Sequence, residues 1–183
     1  LDLQMQAHHY LMEMEIESAP PTEYKIINDK LIELLKKYGV SPYSLDLQLL
    51  TANFQAFYLK QPELGKELLQ NALKLPLNIR DQAKIKMELA DIMVYDEKFN
   101  QAILYYAQVE DNLKNDVLAH EASLKLAKAN FYKKDFDWTL KGLDYLPSKT
   151  PIVKDVPKAF EDYVSTNAER INKKNKKGTQ AYW

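Results

Sequence analysis

Apolar residues recur along this chain at three- and four-residue intervals between short polar or proline-containing breaks, the rhythm of packed α-helices. Leu3, Ala7, Tyr10, Leu11 and Met14 share one helical face and predict a first helix that ends before Ala19-Pro20-Pro21. A second helix follows, with Thr22 as its cap and Ile27, Leu31, Leu34, Leu35 and Tyr38 as its stripe. Gly39 is a natural left-handed stop, with Pro42 just beyond. Residues 1–43 therefore read as an N-terminal capping pair of helices.

From Ser44 the same grammar repeats. Leu47, Leu50, Phe54 and Tyr58 stripe one helix; Gln61-Pro62 turns the chain; Leu64, Leu68, Ala72 and Leu75 stripe the next, and Pro76 closes the pair. Asp81 opens a third pair, in which Ala83, Met87, Ala90 and Val94 lead to the turn Tyr95-Asp96-Glu97-Lys98, then Phe99, Ala102, Ile103, Tyr106 and Val109. Asn115 or Asp116 caps a fourth: Ala122, Leu126 and Ala129 precede Lys133-Lys134-Asp135, and Phe136, Leu140, Leu143 and Leu146 follow. Matching Phe54, Leu89 and Leu126, or Leu64, Phe99 and Phe136, gives steps of 35 and then 37 residues.

Such a helix-turn-helix period is that of tetratricopeptide arrays, and the chain resembles a tetratricopeptide repeat (TPR) protein. In that family small residues sit where paired helices cross, and aromatic residues wedge beside them. Leu89-Ala90 and Leu126-Ala127 resemble the family's Leu-Gly pair, Phe99 and Phe136 its aromatic after the turn, Ala102 its second small residue and Tyr106 its later aromatic. Thr139 stands where Ala102 stands, and Gln55 and Glu67 occupy the matching small positions of the earlier unit, which marks that unit as degenerate. The resemblance covers residues 45–155 and implies an all-α, right-handed solenoid of stacked antiparallel helix pairs. Its repeats span 44–78, 79–114 and 115–150, with a C-terminal helix and basic tail over 151–183. Residues 105–146 are more narrowly similar to periplasmic or envelope TPR proteins of Bacteroidota. That similarity implies a periplasmic or outer-membrane-associated scaffold rather than an enzyme, in the setting of outer-membrane secretion or surface transport; a cytoplasmic location is the alternative. Since three or more good repeats are usually needed for independent stability, other subunits or flanking repeats are expected to complete the core.

Composition agrees with helix: leucine, lysine, alanine and glutamate abound, and glycine occurs only 4 times in 183 residues. With 25 Lys and Arg against 26 Asp and Glu, no global field would hold the protein to nucleic acid or anionic lipid. The absence of cysteine excludes disulfides, thiolate zinc sites and cysteine nucleophiles. No apolar run approaches the roughly 18 residues of a membrane span, so membrane contact is expected only through partners or a lipid anchor. The chain starts at Leu1 without a signal-peptide pattern, which is compatible with a targeting segment removed or left out.

Candidate chemistry is sparse. His9 and Glu13 lie four apart, a spacing that places two ligands on one helical face, but no third ligand stands at a recognisable spacing, so no metal site and no cofactor are expected. Acidic pairs such as Glu13 with Glu15, or Glu161 with Asp162, point apart on a helix and cannot flank a bond jointly. Glycine-rich phosphate loops and the nucleophile-elbow motif are missing, so neither catalysis nor a small-molecule substrate is expected.

Binding is the better-supported class. In a repeat array the first helices line a concave groove, and Lys86, Asp91, Lys125, Lys128 and Asn130 are its exposed candidates, with Tyr105 partly free beside Tyr106. Ala102 against Thr139, Met93 against Asn130 and Tyr105 against Gly142 differ between the repeats and read as places that a partner, not packing, has chosen. Arg170, Lys173, Lys174, Lys176 and Lys177 fall within eight residues ahead of Tyr182-Trp183. A run of this kind suits docking to a protein subunit through aromatic anchors and lysine steering. The alternative reading is a nucleic-acid-associated regulator that uses this tail on phosphates and bases.

Overall fold

A computed structural model describes residues 2–114, 116–149 and 165–166. Among the described residues there are eight α-helices and no β-strand: α1 (Asp2–Ser18), α2 (Tyr24–Tyr38), α3 (Leu45–Asn53), α4 (Pro62–Ala72), α5 (Ile79–Tyr95), α6 (Phe99–Asn112), α7 (Val117–Tyr132) and α8 (Phe136–Lys149). The protein is all-α. The chain divides into two units, residues 1–98 and residues 99–183.

In the first unit α1 packs on α2 and α3, α2 on α3, α3 on α4, and α4 on α5. Met12, Ile16, Ile27, Leu31, Leu35, Leu47 and Phe54 form an apolar cluster in it. The α2 stripe is as the periodicity predicts, with Ile27, Leu31 and Leu35 buried. Two other stripes depart from the prediction. In α4 predicted Ala72 is buried and Leu68 packs against the core, but Leu64 is 44% exposed, and Gly65, Lys66 and Leu69 complete the buried face. In α1 the predicted stripe is turned outward: Leu3, Tyr10, Leu11 and Met14 are exposed, and Met12 and Ile16 on the opposite side enter the core.

Local chemistry explains where the helices start. Thr22 does not cap α2; it lies in a 3-10 turn, Pro21–Glu23, that leads into the helix without a side-chain cap. Gly39 does stop α2, at φ +74°, with its N–H donating to the Leu35 carbonyl at 2.9 Å. Buried Ser44 then ties the α2–α3 link, donating to the Gly39 carbonyl at 2.6 Å and accepting from the Gln48 amide at 3.0 Å. Asn78, three residues before Asp81, is the cap of α5 and accepts from the Asp81 N–H at 2.9 Å. Asp116 caps α7 by accepting from the Leu118 N–H at 2.8 Å.

One turn geometry recurs. Lys60, Glu97 and Lys134 are the described non-glycine residues with positive φ (58°, 57° and 69°), and they stand 37 residues apart, each two residues before a helix start at Pro62, Phe99 or Phe136. The closing bonds match as well, Lys98 N–H to the Met93 carbonyl at 2.8 Å and Asp135 N–H to the Asn130 carbonyl at 2.9 Å. At the first turn the bond runs from Gln61 to Gln55, one residue further back, because Phe54–Tyr58 forms a π-helical turn with an extra residue.

This fixes the register differently from the sequence reading. Pro62, not Leu64, is the counterpart of Phe99 and Phe136, and the step is 37 throughout. The small positions of the first repeat are Ala52 and Gly65, not Gln55 and Glu67. Ala52, Ala90 and Ala127 are fully buried counterparts, as are Gly65, Ala102 and Thr139 after the turn.

In the second unit α6 packs on α7 and α7 on α8. Ala102, Tyr106 and Val109 are buried on α6, and Ala119, Ala122, Ala127 and Ala129 give α7 a smooth face that lets its neighbours approach. Ala127 and Leu143 centre an apolar cluster with Leu124, Phe131, Phe136 and Leu140.

Candidate docking surface

The predicted groove residues fall in both units. Lys86 and Asp91 lie half-buried on α5, and Tyr105 lies half-buried on α6. On α7, Lys128 is exposed and Lys125 pairs with Glu121 at 3.1 Å, one turn away. Asn130 is not an exposed groove residue: it is 8% exposed, and its amide donates to the Leu126 carbonyl at 3.1 Å. The tail candidates Arg170, Lys173, Lys174, Lys176, Lys177, Tyr182 and Trp183 lie outside the described residues.

Most residues of the three between-repeat differences are buried, with Tyr105 half-buried. Ala102 and Thr139 are fully buried, with the Thr139 hydroxyl donating to the Asp135 carbonyl at 2.8 Å. Met93 and Asn130 are buried too. A Cβ added at Gly142 would stand 3.1 Å from the Ala127 Cβ, so this position packs closely against α7.

Charged groups cluster around Lys66. This lysine, 7% exposed on α4, donates to Glu63 at 2.6 Å and to Asp96 at 2.9 Å, and Lys98 reaches the same carboxylates at 3.3 and 2.7 Å. Hydrogen bonds from Lys66, then Lys98, hold both carboxyls below their ordinary values, and the bond to Asp96 leads in raising Lys98. For Glu63, Asp96 and Lys98 the shift favours the charged form in each case. The cluster ties the start of α4 to the turn after α5.

His9 Nδ1 lies 3.7 Å from a Glu13 oxygen, and His8 Nδ1 lies 2.6 Å from the Tyr38 hydroxyl and 2.8 Å from the Gln4 carbonyl oxygen. Among the described residues no three His, Asp or Glu side chains converge as metal ligands. No described helix is long and apolar enough to cross a membrane.

Among the described residues, the outer face of α1 is a surface that packing leaves unexplained. Leu3 (83% exposed), Tyr10 (64%), Leu11 (61%) and Met14 (67%) project to solvent along one side, with Ala7 between them. Single exposed apolar residues are ordinary, but a row of them is not. Beside Tyr10 a notch of about 210 Å³ opens between α1 and the start of α3, lined by Met5, His9, Tyr10, Tyr43, Asp46 and Leu47. Tyr43 at its mouth is 88% exposed. A second concavity of about 170 Å³ lies in the other unit, beside Trp138 with the Lys141 ammonium 4.8 Å from its ring centre, over Leu126, Ala127 and Gly142.

Sequence reasoning passed over the α1 face by assigning its stripe to the core. The signal was present: Met5, Met12 and Ile16 form a second apolar set on the other side of the same helix, so α1 is apolar on two faces. Comparison with protein-family models and with curated proteins finds no match to this chain.

Proposed function

We propose that this protein is a non-enzymatic, TPR-like scaffold whose helical hairpins stack as a right-handed solenoid and hold partner proteins. The observation that carries the reading is the turn repeated at Lys60, Glu97 and Lys134, together with buried residues around it: Gly65, Ala102 and Thr139 five residues after, and before it Ala90 and Ala127 at seven residues and Ala52 at eight, the π-helical turn adding one. A unit repeated in this way cannot bury its apolar stripe alone and does so against its neighbours, which yields an extended surface rather than an enclosed reaction chamber. The exposed α1 row supports a binding role on the same grounds. The envelope setting, and with it a link to outer-membrane secretion or surface transport, rests on the similarity of residues 105–146 alone.

The test is to isolate the tagged chain from native envelope fractions, with and without residues 168–183, and weigh the assemblies by native mass spectrometry. The scaffold reading expects the same partner subunits at fixed stoichiometry in repeated preparations. Recovery of the chain alone, as a stable monomer, would overturn it.

A further inference from the structure

We propose that the outer face of α1, with the notch beside it, docks an amphipathic helix whose apolar stripe is flanked by lysine or arginine; this deepens the scaffold reading and rests on it. Leu3 to Met14 covers three turns, roughly 16 Å at 1.5 Å per residue, which matches the footprint of one partner helix lying along it.

The charge of α1 names the partner. The helix carries Asp2, Glu13, Glu15 and Glu17 and no lysine or arginine. Glu15 is bound by Lys30 of α2, whereas exposed Glu17 and half-buried Glu13 lie beside the apolar row. Carboxylates in the last turns also oppose the helix dipole, and cations from a partner would offset that cost. Asp46, 72% exposed at the notch and 3.6 Å from the half-exposed Lys84 ammonium, adds a further carboxylate with an open side toward solvent. A lysine or arginine entering the notch lays its aliphatic stem on Met5, Tyr10 and Tyr43 and brings its charge toward Asp46. A second copy of α1 would bring acid against acid with no basic residue to pair, and an anionic lipid surface would be repelled.

Fluorescence anisotropy on the full chain tests this with two labelled 18-residue probes, a leucine-striped helix flanked by lysine and its glutamate-flanked counterpart, at low and high salt. The lysine probe is expected to bind at least about tenfold tighter than the glutamate probe. The double variant Leu11→Gln/Met14→Gln should weaken it about tenfold or more, with circular dichroism and the unfolding midpoint unchanged because both side chains are exposed. Glu13→Gln/Glu17→Gln should cost a few-fold at low salt and flatten the salt dependence. Equal binding of the two probes, or unchanged binding by Leu11→Gln/Met14→Gln, overturns the proposal while leaving the scaffold reading to its own test. The proposal also falls if that variant abolishes a dimer seen by sedimentation, or abolishes co-sedimentation with phosphatidylcholine vesicles, since the face would then serve self-association or a membrane.

Discussion

Two glycines sit where another helix packs close to the backbone, one in each unit, and they meet different things. A Cβ built on Gly65 of α4 would lie 2.6 Å from the Ala52 carbonyl oxygen, a backbone atom of α3 that cannot turn aside. A Cβ on Gly142 of α8 would lie 3.1 Å from the Ala127 Cβ, close enough to require a shift of a few tenths of an ångström. Gly65 occupies the small position that the repeat turn dictates, shared with Ala102 and Thr139, whereas Gly142 stands where Tyr105 stands. The first crossing is held by backbone clearance and the second by side-chain fit, so the same repeat grammar tolerates change unequally.

The largest expected effect is at the first crossing. Gly65→Ala should destabilise by about 2–3 kcal/mol, the overpacking cost exceeding the roughly 1 kcal/mol that alanine gains in a helix. Equilibrium urea unfolding measures it.

Next comes the charged cluster beside that crossing. Asp96→Asn leaves mostly buried Lys66 with one carboxylate instead of two, at a cost of about 1–3 kcal/mol. Lys66→Met should cost less, because an apolar chain of similar volume needs no partner there and Lys98 still serves both acids. If the two variants unfolded at the same urea concentration, the buried lysine would not be what makes this corner vulnerable.

The cluster also sets a pH dependence. Glu63 and Asp96 bind protons less readily folded than unfolded, so their contribution is present above the ordinary carboxylate range and is lost as pH falls below about 4. Lys98 is shifted upward, so its contribution is complete at neutral pH and disappears only above the ordinary lysine range. Stability should be flat between about pH 6 and 9 and decline in acid, and Asp96→Asn should reduce the acid slope. Unfolding midpoints across pH check both.

A smaller and opposite effect is expected at the turns. Lys60→Gly and Lys134→Gly relieve a positive φ in equivalent conformations and should each stabilise by about 0.5–1 kcal/mol. Unequal gains would mean that the two turns are not copies of one device.

Much of this architecture was legible in the sequence. Proline and glycine marked the breaks at Ala19-Pro20-Pro21, Gly39 and Gln61-Pro62, and the stripes of α2 and α6 followed the periodicity. Register was harder. The π-helical turn at Phe54–Tyr58 inserts a residue that no side-chain pattern announces, and the sequence alignment slid to Phe54 and Leu64, hiding Ala52 and Gly65. The α1 orientation was missed for another reason. With apolar residues on two sides, periodicity alone cannot choose which set faces the core, and the contacts of Met12 and Ile16 with α2 and α3 decide it. Asn130 and Gly142 were read as partner-chosen because they differ between repeats, yet each is fitted to its immediate neighbours.

That packing fixes the repeat frame, with backbone clearance at one crossing and side-chain fit at the other, is tested most directly by unfolding Gly65→Ala and Gly142→Ala side by side in urea. The predicted result is a loss of about 2–3 kcal/mol for Gly65→Ala and a change within about 1 kcal/mol of zero for Gly142→Ala, where the helix-propensity gain offsets the clash. Equal losses, or a larger loss at Gly142, would contradict it.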